Sequence, residues 1–438
     1  MKEKSIKEYN SKLYLVYKSL GADLLFYYII QYIFYSEVKH FNASEILFVD
    51  ALYPVFTILF NIPATIIVEK LGKKNGMILG NILMCISLVI VILARNILEM
   101  SIANAVMAFG FCLKRLTESN LLAEIVGITT DEEKKEYSDI VSKANRNYYL
   151  IDGVSSFFTG MTFLINPYLP IIISLGFMGV STILSIFIKI PKTEKSTEKI
   201  SIAKEFISQC KKIGSSFKTI LKSARIKSIL IFVLFFDGFL YALYSLRASL
   251  LLDSIGMETE KYTILIAFLT ILAGFSSTLQ QKIRETFKNR TLTLLTVVLI
   301  SSLIISGVVS LLNINIWVKL IIITVMFALQ YGIQGTYEVL MNLYSRNFTS
   351  DDIRVEVSSV FELFRNTSQF LISIVASILL GFFSIEYNFL ILGIVFGIIL
   401  FIVLHIIKNY FGLKPEEYSK KDVFENYVSK NHREEIKL

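Results

Sequence analysis

Three acids set in long apolar stretches mark where this chain can do chemistry: Asp23, Asp152 and Asp237. An ionisable side chain inside a bilayer costs at least a few kcal/mol, so it faces protein interior or water. A carboxyl held there can carry a proton or hold a polar group of a cargo molecule. Spacing enlarges the set. Asp23, Tyr27 and Gln31 fall at i, i+4 and i+8, one face of a continuous helix, and Asp237, Tyr241 and Tyr244, at i, i+4 and i+7, likewise share a face. Gln330, Gln334, Glu338 and Asn342 form a polar stripe, and Lys114 and Arg115 precede Glu118 by four and three residues, the spacing of an ion cluster within one helix. The candidate substrate- or proton-binding residues are therefore Asp23, Tyr27, Arg115, Glu118, Asp152, Asp237, Tyr241, Gln330, Gln334 and Glu338. For Asp23 and Asp237 a structural reading stays open, in which each pairs with a cation on a neighbouring helix. Lys18, Arg146, Glu362 and Arg365 lie near expected cytoplasmic ends and are read as reaching the interface.

Other chemistries lack their residues. Cys85, Cys112 and Cys210 are scattered with no disulfide or metal spacing. The motifs of zinc peptidases, serine hydrolases and nucleotide-binding loops are missing, so neither an enzyme nor a cofactor is expected. The net charge of +8 sits in short loops between apolar segments, which reads as membrane topology and not as a nucleic-acid face.

The elements that must position these residues are membrane helices. Of the residues, 54% are hydrophobic and 18% charged, against about 25% charged in soluble domains. A span needs about 20 mostly apolar residues, and about twelve segments qualify. They run near Tyr14–Tyr35, Ile46–Val68, Met77–Ala94, Ile97–Leu121, Asn147–Leu164 and Leu169–Ile188, then Ile229–Leu251, Tyr262–Leu279, Leu292–Leu312, Val318–Leu340, Ser359–Phe382 and Asn388–Ile407. The polar stretch between the sixth and seventh divides the chain into a six-helix bundle over 1–190, a linker over 191–227, a second six-helix bundle over 228–407 and a charged tail over 408–438. In the linker Phe206, Cys210, Ile213, Phe217 and Leu221 recur at helical spacing among lysines, as in an amphipathic helix on an anionic leaflet. Most Lys and Arg fall on one side if the N-terminus is cytoplasmic, and an even span count puts both termini there. The third, sixth and ninth spans carry no ionisable residue. The economical explanation is that these helices face lipid while charged ones surround an aqueous path.

Twelve spans in two halves joined by a basic loop resemble the major facilitator superfamily, which places the third helix of each triplet outermost. The local match lies after the second span. The family's G-x-x-x-D-x-x-G-R-[RK] is similar to Thr65-Ile-Ile-Val-Glu69-Lys70-Leu-Gly72-Lys73-Lys74, with Thr65, Glu69 and Lys73 as departures and Pro63 where many efflux members have proline. Asp352-Ile-Arg354 after the tenth span looks like the family's D-x-x-R stretch. The resemblance implies a cytoplasmic gate at Glu69, Gly72, Lys73 and Arg354, proton-carrying cavity acids, and rocking of two bundles about a midplane site. The fourth-span arginine of many proton-coupled exporters would fall near Asn104, and the drug-antiporter signature of the fifth span is missing. The function expected is secondary active transport of a small molecule across the cytoplasmic membrane by a multi-pass, monomeric protein with protons as coupling ion. Export of an amphipathic compound or drug leads; the alternative is uptake of a sugar, peptide or organic anion.

Overall fold

The computed structural model describes residues 2–21, 23–126, 130–189, 223–287, 290–347 and 354–407, with 211, 214 and 217. Most of the expected linker and the tail from residue 408 lie outside the described residues. In order the helices are α1 (Lys2–Gly21), α2 (Tyr27–Ile33), α3 (Ala43–Leu71), α4 (Lys73–Leu93), α5 (Ile97–Val126), α6 (Asp131–Ile165), α7 (Leu169–Phe187), α8 (Ala224–Ser249), α9 (Thr259–Phe287), α10 (Thr291–Leu311), α11 (Ile316–Asn347), α12 (Arg354–Phe382) and α13 (Ile385–Ile407). Two of them, α2 and α8, run on into single π-helical turns, Phe34–Val38 and Leu250–Ser254. The chain is all-helical over the described residues, and ten helices there are long and apolar enough to cross a membrane.

The chain forms two compact units. The first holds Met1–Phe41, Leu52–Cys210 and Thr259–Ile264; the second holds Asn42–Ala51, Lys211–Glu258 and Leu265–Leu438. Within the first, α4 packs tightly along α5 because two glycines face each other. A Cβ on Gly80 would come within 2.8 Å of the Gly110 carbonyl oxygen, and one on Gly110 within 2.9 Å of the Gly80 oxygen. Small residues of this kind let membrane helices meet at backbone distance, where dispersion replaces the missing hydrophobic drive. Helix ends are capped by side chains. Thr130 and Glu133 close a reciprocal capping box on α6. Lys74 donates to the carbonyls of Ile186 (2.7 Å) and Ile188 (2.6 Å) at the end of α7, a cation at the negative pole of a helix. Within the second unit, α8 packs on α12 and α13, and α10 on α11 and α13.

Two sequence expectations need correction. The first expected span is not one helix. It breaks between Gly21 and Tyr27, where Phe26 adopts φ 66°. Asp23 therefore sits in the break and does not share a helical face with Tyr27 and Gln31. Outward apolar surface is also not confined to α4, α7 and α10. Ile165 on α6 and Phe268 and Phe275 on α9 are about as exposed as Leu93 on α4. The reason is that a helix carrying a charge on one face still has another face to give to lipid. Lastly, Lys18 and Arg365, partly exposed, each also meet a buried carboxylate, described next.

Candidate functional site

In the first unit the break in the first span gathers charge. Gly21 ends α1, and the next described residue, Asp23, turns its carboxylate onto the backbone N–H of Leu24 at 2.9 Å. Lys114 of α5 is 1% exposed and donates its ammonium to the freed Gly21 carbonyl. The same ammonium lies 3.6 Å from Glu118 Oε1 and 5.9 Å from the ring centres of Tyr17 and Phe111. Glu118 accepts from the Tyr17 hydroxyl at 2.6 Å and from Lys18. Tyr17 also reaches Asn81 of α4 at 3.4 Å. Asp23 lies within electrostatic reach of Lys114 and Lys18, and Asp152 of α6 within reach of Asp23. Three carboxyls and two ammonium groups thus share one place in the fold.

Of the sequence candidates, Asp23, Glu118 and Asp152 come together here. Tyr27 does not: it is fully buried and its hydroxyl bonds that of Tyr35 at 2.7 Å. Arg115 points to an exposed position one residue round the helix from Lys114. The cation of the cluster is Lys114, with Lys18, Tyr17 and Asn81 as partners that residue spacing alone did not select. The i, i+4 spacing of Lys114 and Glu118 was the available signal.

In the second unit Asp237 of α8, 3% exposed, accepts from Arg365 Nε at 3.0 Å and Gln369 Nε2 at 2.9 Å, both on α12. Asp237 is thus paired with a cation on a neighbouring helix. Tyr241 donates to the Asp50 carbonyl at 3.1 Å, and Ser245, one turn on, donates to the Asp50 carboxylate at 2.5 Å. Gln330 is completely buried with neither amide atom hydrogen-bonded, Gln334 is half-buried and Glu338 exposed. Beside Gln330, the Tyr331 ring supports the guanidinium of Arg247, 3.9 Å from its centre.

Three of the expected gate residues, Glu69, Gly72 and Lys73, sit at the α3–α4 turn. Gly72 takes φ 83°, a value that disfavours any side chain, so glycine is required between these helices. Lys73 pairs with Glu124 of α5 at 2.9 Å, and Glu69 is exposed at the end of α3. The side chain of Arg354 lies outside the described residues, as does Asp352.

Long apolar helices that bury charge are those of a polytopic membrane protein. The chain belongs to the Major Facilitator Superfamily, whose sequence profile matches residues 19–348. The fold is similar to that of the nucleoside transporter NupG, with a TM-score of 0.68 at 12% identity over 91% of this chain and 99% of that one. It is also similar to a D-xylose-proton symporter, with a TM-score of 0.67 at 11% identity, covering 95% and 99%. A bacterial homologue of the human lysosomal transporter Spinster, in an inward-facing and unoccupied conformation, gives 0.65 at 13% identity, covering 97% and 99%. No curated protein matches the chain in sequence. A small-molecule substrate and residence in a membrane follow from the family.

Proposed function

We propose that the chain is a proton-coupled secondary transporter in which Asp23 is the proton-carrying group. The observation that carries this is the charge balance at the break in the first span. Asp23, Glu118 and Asp152 set three negative charges against the two positive charges of Lys18 and Lys114. Glu118 holds both ammonium groups directly. One proton on Asp23 makes the cluster neutral, and losing it leaves a net charge that a buried site tolerates poorly. Broken helices at a binding site are a recurrent device of transporters, because freed backbone groups are then available to charge. Here the freed Gly21 carbonyl already holds Lys114. Protonation of Asp23 withdraws one attraction on that ammonium, and this is how a proton would alter the site's shape.

Export across the cytoplasmic membrane of an amphipathic compound is the direction favoured by Pro63 inside α3 and by the gate-like turn after it. Uptake of an anionic nutrient is the second reading, and the buried Arg247 supports it. The gate role of Glu69, Gly72, Lys73 and Arg354 is part of the same proposal, as are alternating access and a monomeric state.

The test uses everted vesicles with an imposed pH gradient and pyrenebutyrate, a fluorescent amphipathic carboxylate, as probe. The parent is expected to move dye with the gradient and to stop when a protonophore collapses it. Asp23→Asn is expected to lose at least about a hundredfold of the rate, the lower end of the scale on which positioned acid–base groups act. Asp23→Asn vesicles that pump like the parent would end the assignment. Movement in the uptake direction would transfer it to the second reading.

A further inference from the structure

We infer that Arg247 is the receptor for an oxyanion, a carboxylate or phosphate carried by the transported molecule. This inference rests on the transport reading and names the substrate class. Three buried or half-buried cations in the spans can be compared. Lys114 has Glu118 at 3.6 Å, and Arg365 has Asp237 at 3.0 Å. Arg247 is 2% exposed, and among the described residues no carboxylate lies within ion-pair distance of it. Its Nε is spent on the carbonyl of Leu243, one turn back on its own helix, at 3.0 Å. Its guanidinium plane rests 3.9 Å from the centre of the Tyr331 ring, a cation–π contact. Its Nη1 is buried with no hydrogen-bond partner.

A guanidinium stays charged at any physiological pH, so it cannot escape an unpaired burial by losing a proton. Ring and carbonyl offset only part of the desolvation, and an anion is the missing partner. Asp50, the buried acid held by this helix, is bound by Ser245 on another face. Ser245 and Arg247 differ by about 200° around the helix. With Nε engaged, the end of the fork is the free face, and two-oxygen anions match that face in plane. The amide of Gln330, next to Tyr331 on α11, is also fully buried without a partner on either atom. This stretch of the second unit therefore holds polar capacity that the protein itself does not fill. Arg247 lies ten residues beyond Asp237, about 15 Å along α8, so this receptor is separate from the Asp237–Arg365 pair.

The experiment is thermal unfolding of the purified full chain in lipid nanodiscs, without any gradient. Acetate, benzoate, succinate and inorganic phosphate are added at equal ionic strength against chloride, with acetamide and benzamide as uncharged controls. At least one oxyanion is expected to raise Tm by several degrees in the parent and in Lys227→Gln, an exposed control, while the amides do not. The shift is expected to vanish in Arg247→Gln and to fall by half or more in Arg247→Lys, which keeps charge but loses the fork. Response to carboxylates alone or to phosphate alone identifies the cargo's group, and either supports the receptor. If Arg247→Gln does not fold, phenylglyoxal labelling of parent Arg247, mapped by mass spectrometry, replaces it. The effective oxyanion is then expected to slow labelling several-fold. No shift with any oxyanion, an undiminished shift in Arg247→Gln, or unprotected labelling overturns the receptor. Because no proton gradient is used, such a failure leaves the role of Asp23 untouched, and failure of dye transport leaves an oxyanion shift standing.

Discussion

Asp23 and Asp237 look alike in the sequence, yet their surroundings differ in kind. Asp237 meets a guanidinium and an amide from α12, one donor on each carboxylate oxygen. Asp23 bonds the backbone N–H of Leu24 and the Tyr28 hydroxyl and feels its cations at a distance. The ion pair is what Asp237 contributes to stability, and breaking a buried pair from one side costs about 3–5 kcal/mol. Asp237→Ala and Arg365→Ala are each expected to lower unfolding stability by about 3 kcal/mol, less than additively when combined. A double-mutant cycle on Tm or denaturant midpoint reads this. Additive losses would show that the two groups do not stabilise each other. Sequence spacing exposed the acids because a lone carboxyl in an apolar run stands out. It did not expose their partners, since Arg365 is 128 residues from Asp237 and only packing brings them together. Lys114 against Arg115 turned on one residue of helical phase, which the bounds of a span do not fix.

At the scale of elements, most helices were legible from their apolar runs, and the break at Gly21 was not read. The face assigned to Asp23, Tyr27 and Gln31 assumed an unbroken 3.6-residue repeat. The available signal was Gly21 itself, a residue that commonly ends helices, followed closely by an aspartate that bonds its neighbour's N–H. The α4–α5 contact was equally hidden, because glycines in apolar runs announce nothing until the facing helix is known. Gly110→Leu would drive a side chain into the Gly80 carbonyl and Met84. Overpacking of this kind costs about 1–3 kcal/mol or more, so a lower Tm is expected, whereas the same change at Gly176, which faces open space, is expected to be nearly silent. Equal effects at the two positions would contradict backbone contact between α4 and α5.

At the scale of the molecule, the family was legible for a physical reason. A bilayer forces span lengths, loop charges and the placement of ionisable residues at once, and all three survive in a single chain. The turn after α3 added a local match whose Gly72 does adopt the backbone that glycine permits. Substrate, direction and coupling were not legible, because they depend on which side chains converge and not on how many spans there are. The central claim is that the charge cluster at the break in the first span is reached by water and exchanges protons through Asp23. The most direct measurement is thiol labelling. In a chain with Cys85, Cys112 and Cys210 replaced, cysteines introduced one at a time at Asp23, Leu24 and Asp152 are offered a membrane-impermeant methanethiosulfonate from each side. Labelling at Asp23 and Asp152 from at least one side is predicted. If neither position reacts from either side, while an exposed control such as Lys227→Cys does, the cluster is sealed and the account is wrong.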